Sequence, residues 1–358
     1  SDVKILNYLS SGLDSSLIVK YSSELKSKIE TVSLNYENSN DPEGEKASKF
    51  ASELKISNNI INVSNYVYLI NFYRVFSNIN EPIADSAIVS NYILSKYAKK
   101  SGFKVVLNGS GGDEIFCGYE RYLNLGFKRK FFYFFVNIIP DSIKKILQKV
   151  FPEKILRLQN GLYEMFIAAS GCTGILNLIF DTNEKKSHFL KKLISYFPKT
   201  KNINFNKTKL RMINDIKINL SENLNSLFDQ ATMLNTIEGR VPYQDHKLVE
   251  YFLNSSNLQK NKIFQYKLLS SKLNNKFDYK KKGFGAPVSD LIIEKKEFFK
   301  SLLKKRDLNT HIHKNILNYC SNKIDNQEIN NHDSQLIFRT CAFIIWESHL
   351  TKKNLIIS

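Results

Sequence analysis

A chain of 358 residues is long enough for one large buried core or two ordinary ones. Hydrophobic residues make up 42% and charged residues 24%, which excludes a disordered chain and places the protein among globular ones. The formal net charge of +18 is spread along the sequence rather than clustered, so it reads as a solvated basic surface and not as a nucleic-acid interface.

The first 110 residues alternate between two periodicities. Residues 3–9 form a short apolar run that predicts a strand, and 15–28 carry helical spacing. Residues 31–36 predict a second strand, and 43–54 a helix with Ala47, Phe50, Ala51 and Leu54 on one face. A third strand is expected over 60–63, helices over 67–77 and 87–100, and a fourth strand over 104–107. Such alternation implies an α/β fold: a parallel twisted sheet covered by helices, with ligands at the carboxyl ends of the strands. Beyond about residue 125 the strand signal fades. Residues 141–170, 209–236, 245–254 and 333–350 read as helices, whereas 202–207 and 321–333 are polar and read as loops. The expected organisation is a nucleotide-binding core over 1–125 followed by a largely helical remainder of the same domain over 126–358.

The best candidate for a membrane span, 131–139, covers about half the length that a bilayer requires and stops at Pro140, so no membrane partner is expected. Cys117, Cys172, Cys320 and Cys341 lie far apart, with neither a paired spacing nor a histidine pattern for zinc. They read as reduced core thiols of a cytoplasmic protein. The chain opens on Ser1-Asp2 just before a strand-like run, which is expected of a piece of a longer protein.

The run Leu9-Ser10-Ser11-Gly12-Leu13-Asp14-Ser15-Ser16 stands between the first strand and the first helix. Small residues admit close backbone approach, and free N–H groups at a helix start attract anions. Asp14 fits an anion cradle only with a cation between it and the phosphates; it equally suits helix capping. A second run, Val105-Val106-Leu107-Asn108-Gly109-Ser110-Gly111-Gly112-Asp113-Glu114, leads from a buried strand through three glycines into two acids. Asp113 can face Asp14 across the strand ends, so the two carboxylates are expected to hold one Mg²⁺ on a triphosphate.

The first run resembles the pyrophosphate-binding loop of the ATP pyrophosphatase (PP-loop) superfamily, Ser-Gly-Gly-x-Asp-Ser, with Ser11 in place of a glycine. Three further segments, Asn80–Ser86, Glu238–Asp245 and Lys280–Pro287, follow in order. Together the five resemble the synthetase domain of glutamine-hydrolysing asparagine synthetases, from Asp2 to about Leu350. That resemblance implies ATP-dependent adenylation of a carboxylate, most simply aspartate, with ammonia displacing AMP. Leu9, Ser10, Leu34, Asn108 and Gly109 would surround the nucleoside. Ser10, Ser11, Gly12, Asp14, Ser15 and Ser16 would surround the pyrophosphate, and Asp14 and Asp113 would bind Mg²⁺. Lys281 would stabilise charge as pyrophosphate leaves. Glu238 would lie near the acyl-adenylate, or pair structurally with Arg240, and Glu81, Asp85 and Ser86 would line the cleft rim.

Several positions depart from the family pattern. Ser110 stands where the family carries an acid thought to take a proton from the attacking ammonia, and serine is too weak a base for that role. Asn80 replaces an Asp, and Tyr243-Gln244 replaces Phe-Leu. These changes keep open another acceptor, such as a sugar acid of a surface polysaccharide, or an inactive nucleotide-binding relic. An RNA-modifying pyrophosphatase is the alternative from the wider superfamily. The family's nucleophile-bearing glutaminase domain is expected ahead of this chain in the whole protein, to supply ammonia from glutamine, and a homodimer is compatible with the resemblance.

Overall fold

The computed structural model describes residues 3–25, 29–37, 42–83, 85–119, 207–256, 261–271, 286–304, 312–326 and 329–351, with isolated positions between 122 and 192. Among them five strands form one sheet: β1 (Ile5–Tyr8), β2 (Glu30–Tyr36), β3 (Ser57–Val63), β4 (Val105–Leu107) and β5 (Glu238–Arg240). The order is β3-β2-β1-β4-β5 and every neighbouring pair runs parallel. The α/β expectation therefore holds.

Helices cover both faces, so the central strand is buried beyond its first residue: Leu6, Asn7 and Tyr8 are all at most 6% exposed. The buried Asn7 amide is satisfied, accepting from Ser22 Oγ at 3.2 Å and donating to the Glu30 carbonyl at 3.4 Å. Between strands lie α1 (Leu13–Leu25), α2 (Glu43–Glu53), α3 (Asn65–Phe76) and α4 (Ala87–Lys100), close to their expected positions. Ser64 begins α3 by accepting from the Val67 N–H at 3.2 Å. A single turn, α5 (Gly112–Ile115), follows β4.

The later helices are α6 (Lys207–Asn214), the wider π-helical stretch Asp215–Asn225, α7 (Ser226–Met233), α8 (His246–Leu253), α9 (Asn261–Ser270), α10 (Val288–Glu294), α11 (Lys296–Lys304), α12 (Lys314–Asp325) and α13 (Asn331–Leu350). The helix expected over 209–236 is thus present. The one expected over 141–170 lies outside the described residues, apart from Ile143. The main core joins sheet and C-terminal helices: Phe72 packs on Phe76 and Phe338 with ring centroids 5.0 and 4.9 Å apart.

Two expectations change. The polar tract 321–333, read as a loop, is helical as far as Asp325, because Cys320 and Ile324 give α12 a narrow buried stripe. Its far end begins α13 with a capping box, Asn330 accepting from the Asp333 N–H at 2.9 Å while Asp333 accepts from Asn330 N–H at 3.3 Å. β5 was not legible as a strand, since Glu238-Gly239-Arg240 has no apolar residue. Backbone pairing alone makes it one, with Glu238 N–H donating to Lys104 at 2.9 Å and Asn108 N–H to Arg240 at 3.0 Å. The described cysteines Cys117, Cys320 and Cys341 are buried free thiols, as expected. Among the described residues no helix is long and apolar enough to cross a membrane.

Candidate active site

The chain leaves β1 for β2 and β3 on one side and returns through β4 and β5 on the other. This reversal opens a crevice beyond the strand tips, where ligands of such sheets bind. A cavity of about 330 Å³ occupies it. Leu9, Ser10, Gly12, Asp14 and Ser15 line it from the first loop, Leu34 from β2, and Asn108, Gly109, Ser110 and Asp113 from the second loop. Leu224, Leu227 and Phe228 close it from the opposite wall.

The loop over residues 10–16 is braced by its own hydroxyls. Ser10 N–H donates to Ser15 Oγ at 3.1 Å, Gly12 N–H donates to Ser10 Oγ at 3.1 Å, and the two hydroxyls lie 2.8 Å apart. The tight turn is therefore formed before any ligand arrives. Ser11 and Ser16 are not among the cavity-lining residues; Ser16 is fully buried beneath the loop. The second loop presses directly on the first. A Cβ at Gly112 would stand 2.3 Å from Asp14 Oδ1, and one at Gly109 would stand 3.0 Å from the Ser15 nitrogen. Only glycine permits that contact.

Asp14 and Asp113 converge, and what holds them together was not foreseen. Lys262 Nζ lies 2.8 Å from Asp14 Oδ1 and 3.0 Å from Asp113 Oδ1. Gln265, one turn along α9, donates to Asp14 Oδ1 at 2.6 Å. Tyr243 donates its hydroxyl to the Asp14 carbonyl at 2.9 Å and accepts from Gln265 at 3.1 Å. The hydroxyl that Tyr243 adds over the expected phenylalanine is thus in use. Gln244 exchanges two 2.8 Å hydrogen bonds with the Asn225 amide.

Burial pushes the Asp14 carboxyl above the ordinary carboxylate range, with Lys262 opposing and the Asp113 charge adding to the push. For Lys262, burial works against the charge, but the two aspartates more than offset it and hold the ammonium protonated. The only sequence signal for Lys262 and Gln265 was their i,i+3 spacing on one helix face, with Gln265 fully buried in the fold.

Other expected residues lie elsewhere. Glu238 does not line the cavity; it is exposed on β5, where its Oε1 accepts from Arg240 Nε at 2.7 Å. Asp85 accepts from the Ala87 N–H at 3.0 Å at the start of α4 and from Asn223 Nδ2 at 3.3 Å, and Glu81 lies 3.4 Å from Ser226 Oγ. These contacts tie the 80–86 loop to the helical wall. Lys281 lies outside the described residues.

Glu114 is 1% exposed and accepts from the Tyr119 hydroxyl at 2.8 Å. Burial pushes its carboxyl up from 4.5 to about 7, with the hydrogen bond opposing and the Asp113 and Asp215 charges adding. Between those values the folded protein keeps a proton that the unfolded chain releases, so stability falls as pH rises through that window. Glu114→Gln retains an acceptor for Tyr119 and removes the ionisation. Unfolding free energies from denaturant titration are expected to match those of the wild type at pH 4 and to exceed them at pH 8, by up to about 3 kcal/mol.

The model of the asparagine synthase family matches residues 1–347. The chain belongs to that family. It is 28% identical over 374 residues to asparagine synthetase (glutamine-hydrolysing) 1 of Bacillus subtilis, covering 97% of this chain and 56% of that protein. A Methanocaldococcus jannaschii protein, provisionally named asparagine synthetase (glutamine-hydrolysing) 2, is 29% identical over 178 residues, covering 47% of this chain and 31% of its own length. The chain therefore spans little more than half of the first of these family members and under a third of the second.

Proposed function

We propose that the protein is a ligase forming a C–N bond, and that it makes an amide by adenylating a carboxylate with ATP, L-aspartate being the acceptor. The carboxylate oxygen bonds to the α-phosphorus, the α–β bridging bond breaks, and pyrophosphate leaves. Ammonia then adds to the acyl carbon and AMP departs. The observation that carries this reading is the convergence of Asp14 and Asp113 on one cation at the mouth of a braced phosphate loop.

Mg²⁺ fits that pair. Two carboxylates already share one cation, and this metal takes few protein ligands, keeping its other positions for water and phosphate oxygens. Among the described residues no group of three or more His, Cys, Asp or Glu forms a fuller cage. When bound, Mg²⁺ would neutralise charge on the triphosphate and make pyrophosphate a better leaving group.

The chain's own groups supply the rest. The backbone of the 10–16 loop and the start of α1 hold phosphate oxygens. Leu34 and the 108–110 loop bound the nucleoside, and Lys281 meets the charge that develops on pyrophosphate. Glutamine would supply ammonia through a glutaminase domain in the same polypeptide, in a cytoplasmic enzyme. The test is pyrophosphate release from ATP with ammonium and a panel of acceptors. Release that depends on aspartate supports the reading. Release that depends on a sugar acid moves the acceptor, and release only with tRNA, or none at all, contradicts the reading.

Ser110 lines the cavity but takes up no proton near neutral pH, so it cannot act as the base for the attacking ammonia. Ser110→Asp is expected to raise ammonia-dependent amide formation by up to about 100-fold, with the rate of pyrophosphate release in a single turnover without ammonium unchanged. A variant that forms amide no faster counts against a missing base.

A further inference from the structure

β2 outruns β1. Tyr8, the last residue of β1, stands level with Val32, so Ser33–Tyr36 continue beyond the end of β1 by about 13 Å at the usual rise per residue. A nucleoside whose phosphates sit on that loop must lie along this extension. Leu34 and Tyr36 face the cavity there, and so does Glu43, the first residue of α2.

The position of Glu43 is built rather than incidental. A Cβ at Gly44 would stand 2.9 Å from Ile60 Cγ2 and 3.3 Å from the Leu34 carbonyl, so only glycine lets α2 start this close to β2 and β3. The neighbouring Tyr36 hydroxyl is engaged with Ser90 Oγ at 2.5 Å. Its phenol is held protonated chiefly by burial, Ser90 opposing and the nearby Glu43 charge adding, which marks the carboxylate as close to that wall. An anion here would repel phosphate, so hydroxyl donors on the sugar are the ligand groups it suits. In dinucleotide-binding α/β sheets an acid near the end of the second strand meets ribose hydroxyls, and Glu43 stands at the comparable place in this sheet.

We infer that Glu43 accepts hydrogen bonds from the vicinal hydroxyls of the nucleotide ribose and so makes the site selective for ribonucleotides. This assignment rests on the nucleotide reading of the cavity. A carboxylate takes two adjacent O–H donors in short, charge-assisted bonds, and the loss of either is felt in affinity.

The test is equilibrium binding of Mg-ATP, Mg-2′-deoxy-ATP, Mg-3′-deoxy-ATP and Mg-N6,N6-dimethyl-ATP to the wild type and to Glu43→Gln, with thermal melting to confirm that the variant folds. The wild type is expected to bind the deoxy analogues about 10- to 100-fold more weakly than ATP. Glu43→Gln should weaken ATP by a similar factor and leave the deoxy analogues unchanged. Two outcomes overturn the assignment while leaving the nucleotide site standing: equal ATP affinity in both proteins, or a loss in the variant that tracks the N6 substituent and not the sugar. Absence of any nucleotide binding by the wild type contradicts the proposed function itself, and this assignment with it.

Discussion

Lys262→Met is expected to cost the ligand-free protein about 3 kcal/mol at pH 7, because the substitution leaves Asp14 and Asp113 facing one another in a largely buried site. The same change aboard a surface helix would pass almost unnoticed. With the ammonium gone, one carboxylate is driven to take up a proton. The loss should therefore be small near pH 5 and larger at pH 8, where that proton is harder to hold. Millimolar Mg²⁺ without nucleotide should recover part of the loss, about 1.4 kcal/mol at tenfold excess over its dissociation constant, by supplying the cation that the carboxylates lack. The wild type, whose pair already holds one ammonium, should respond less to Mg²⁺ alone. Melting curves of both proteins across pH, with and without the metal, check all three statements. A variant as stable as the wild type at pH 8 would mean that the carboxylates do not depend on this lysine.

Asp14→Asn should reduce pyrophosphate release by at least about 1,000-fold, since a metal-binding carboxylate supports several kcal/mol of charge stabilisation in the departing phosphates. The shape is nearly unchanged. The substituted amide retains one oxygen acceptor toward Lys262 and Gln265, and Gly112 still leaves room for the side chain. A protein that melts normally and fails to release pyrophosphate locates the defect in chemistry rather than in folding. Turnover close to that of the wild type would remove Asp14 from any metal-binding role.

The half of the fold that carries β1, β4 and the loops after them was readable because local pattern and tertiary role coincide there. Apolar runs such as 3–9 and 104–107 mark buried parallel strands, and Ser10–Ser16 and Gly109–Asp113 sit at their ends, where the fold needs tight turns. β5 was hidden because its residues pair only through backbone atoms. Lys262 was hidden for another reason: its partner Asp14 is 248 residues away, and one lysine among 52 basic residues carries no local mark of burial. Glu238 shows the converse. Its motif was plain, yet its carboxylate turns to Arg240 at the surface, away from the cavity. Tyr243, noted in the sequence as a departure, has its hydroxyl on the Asp14 carbonyl, so a change in the motif marks a real difference in the site.

The phosphorus that the carboxylate attacks distinguishes adenylation from phosphorylation. With the acceptor labelled by ¹⁸O in its reacting carboxylate, a single-turnover reaction with Mg-ATP and ammonium, followed by ³¹P NMR, reports the phosphorus that formed the new bond. Attack at the α-phosphorus places one ¹⁸O in AMP and leaves the pyrophosphate unlabelled. Label in inorganic phosphate beside ADP would show attack at the γ-phosphorus, and would contradict an adenylating site between the two loops.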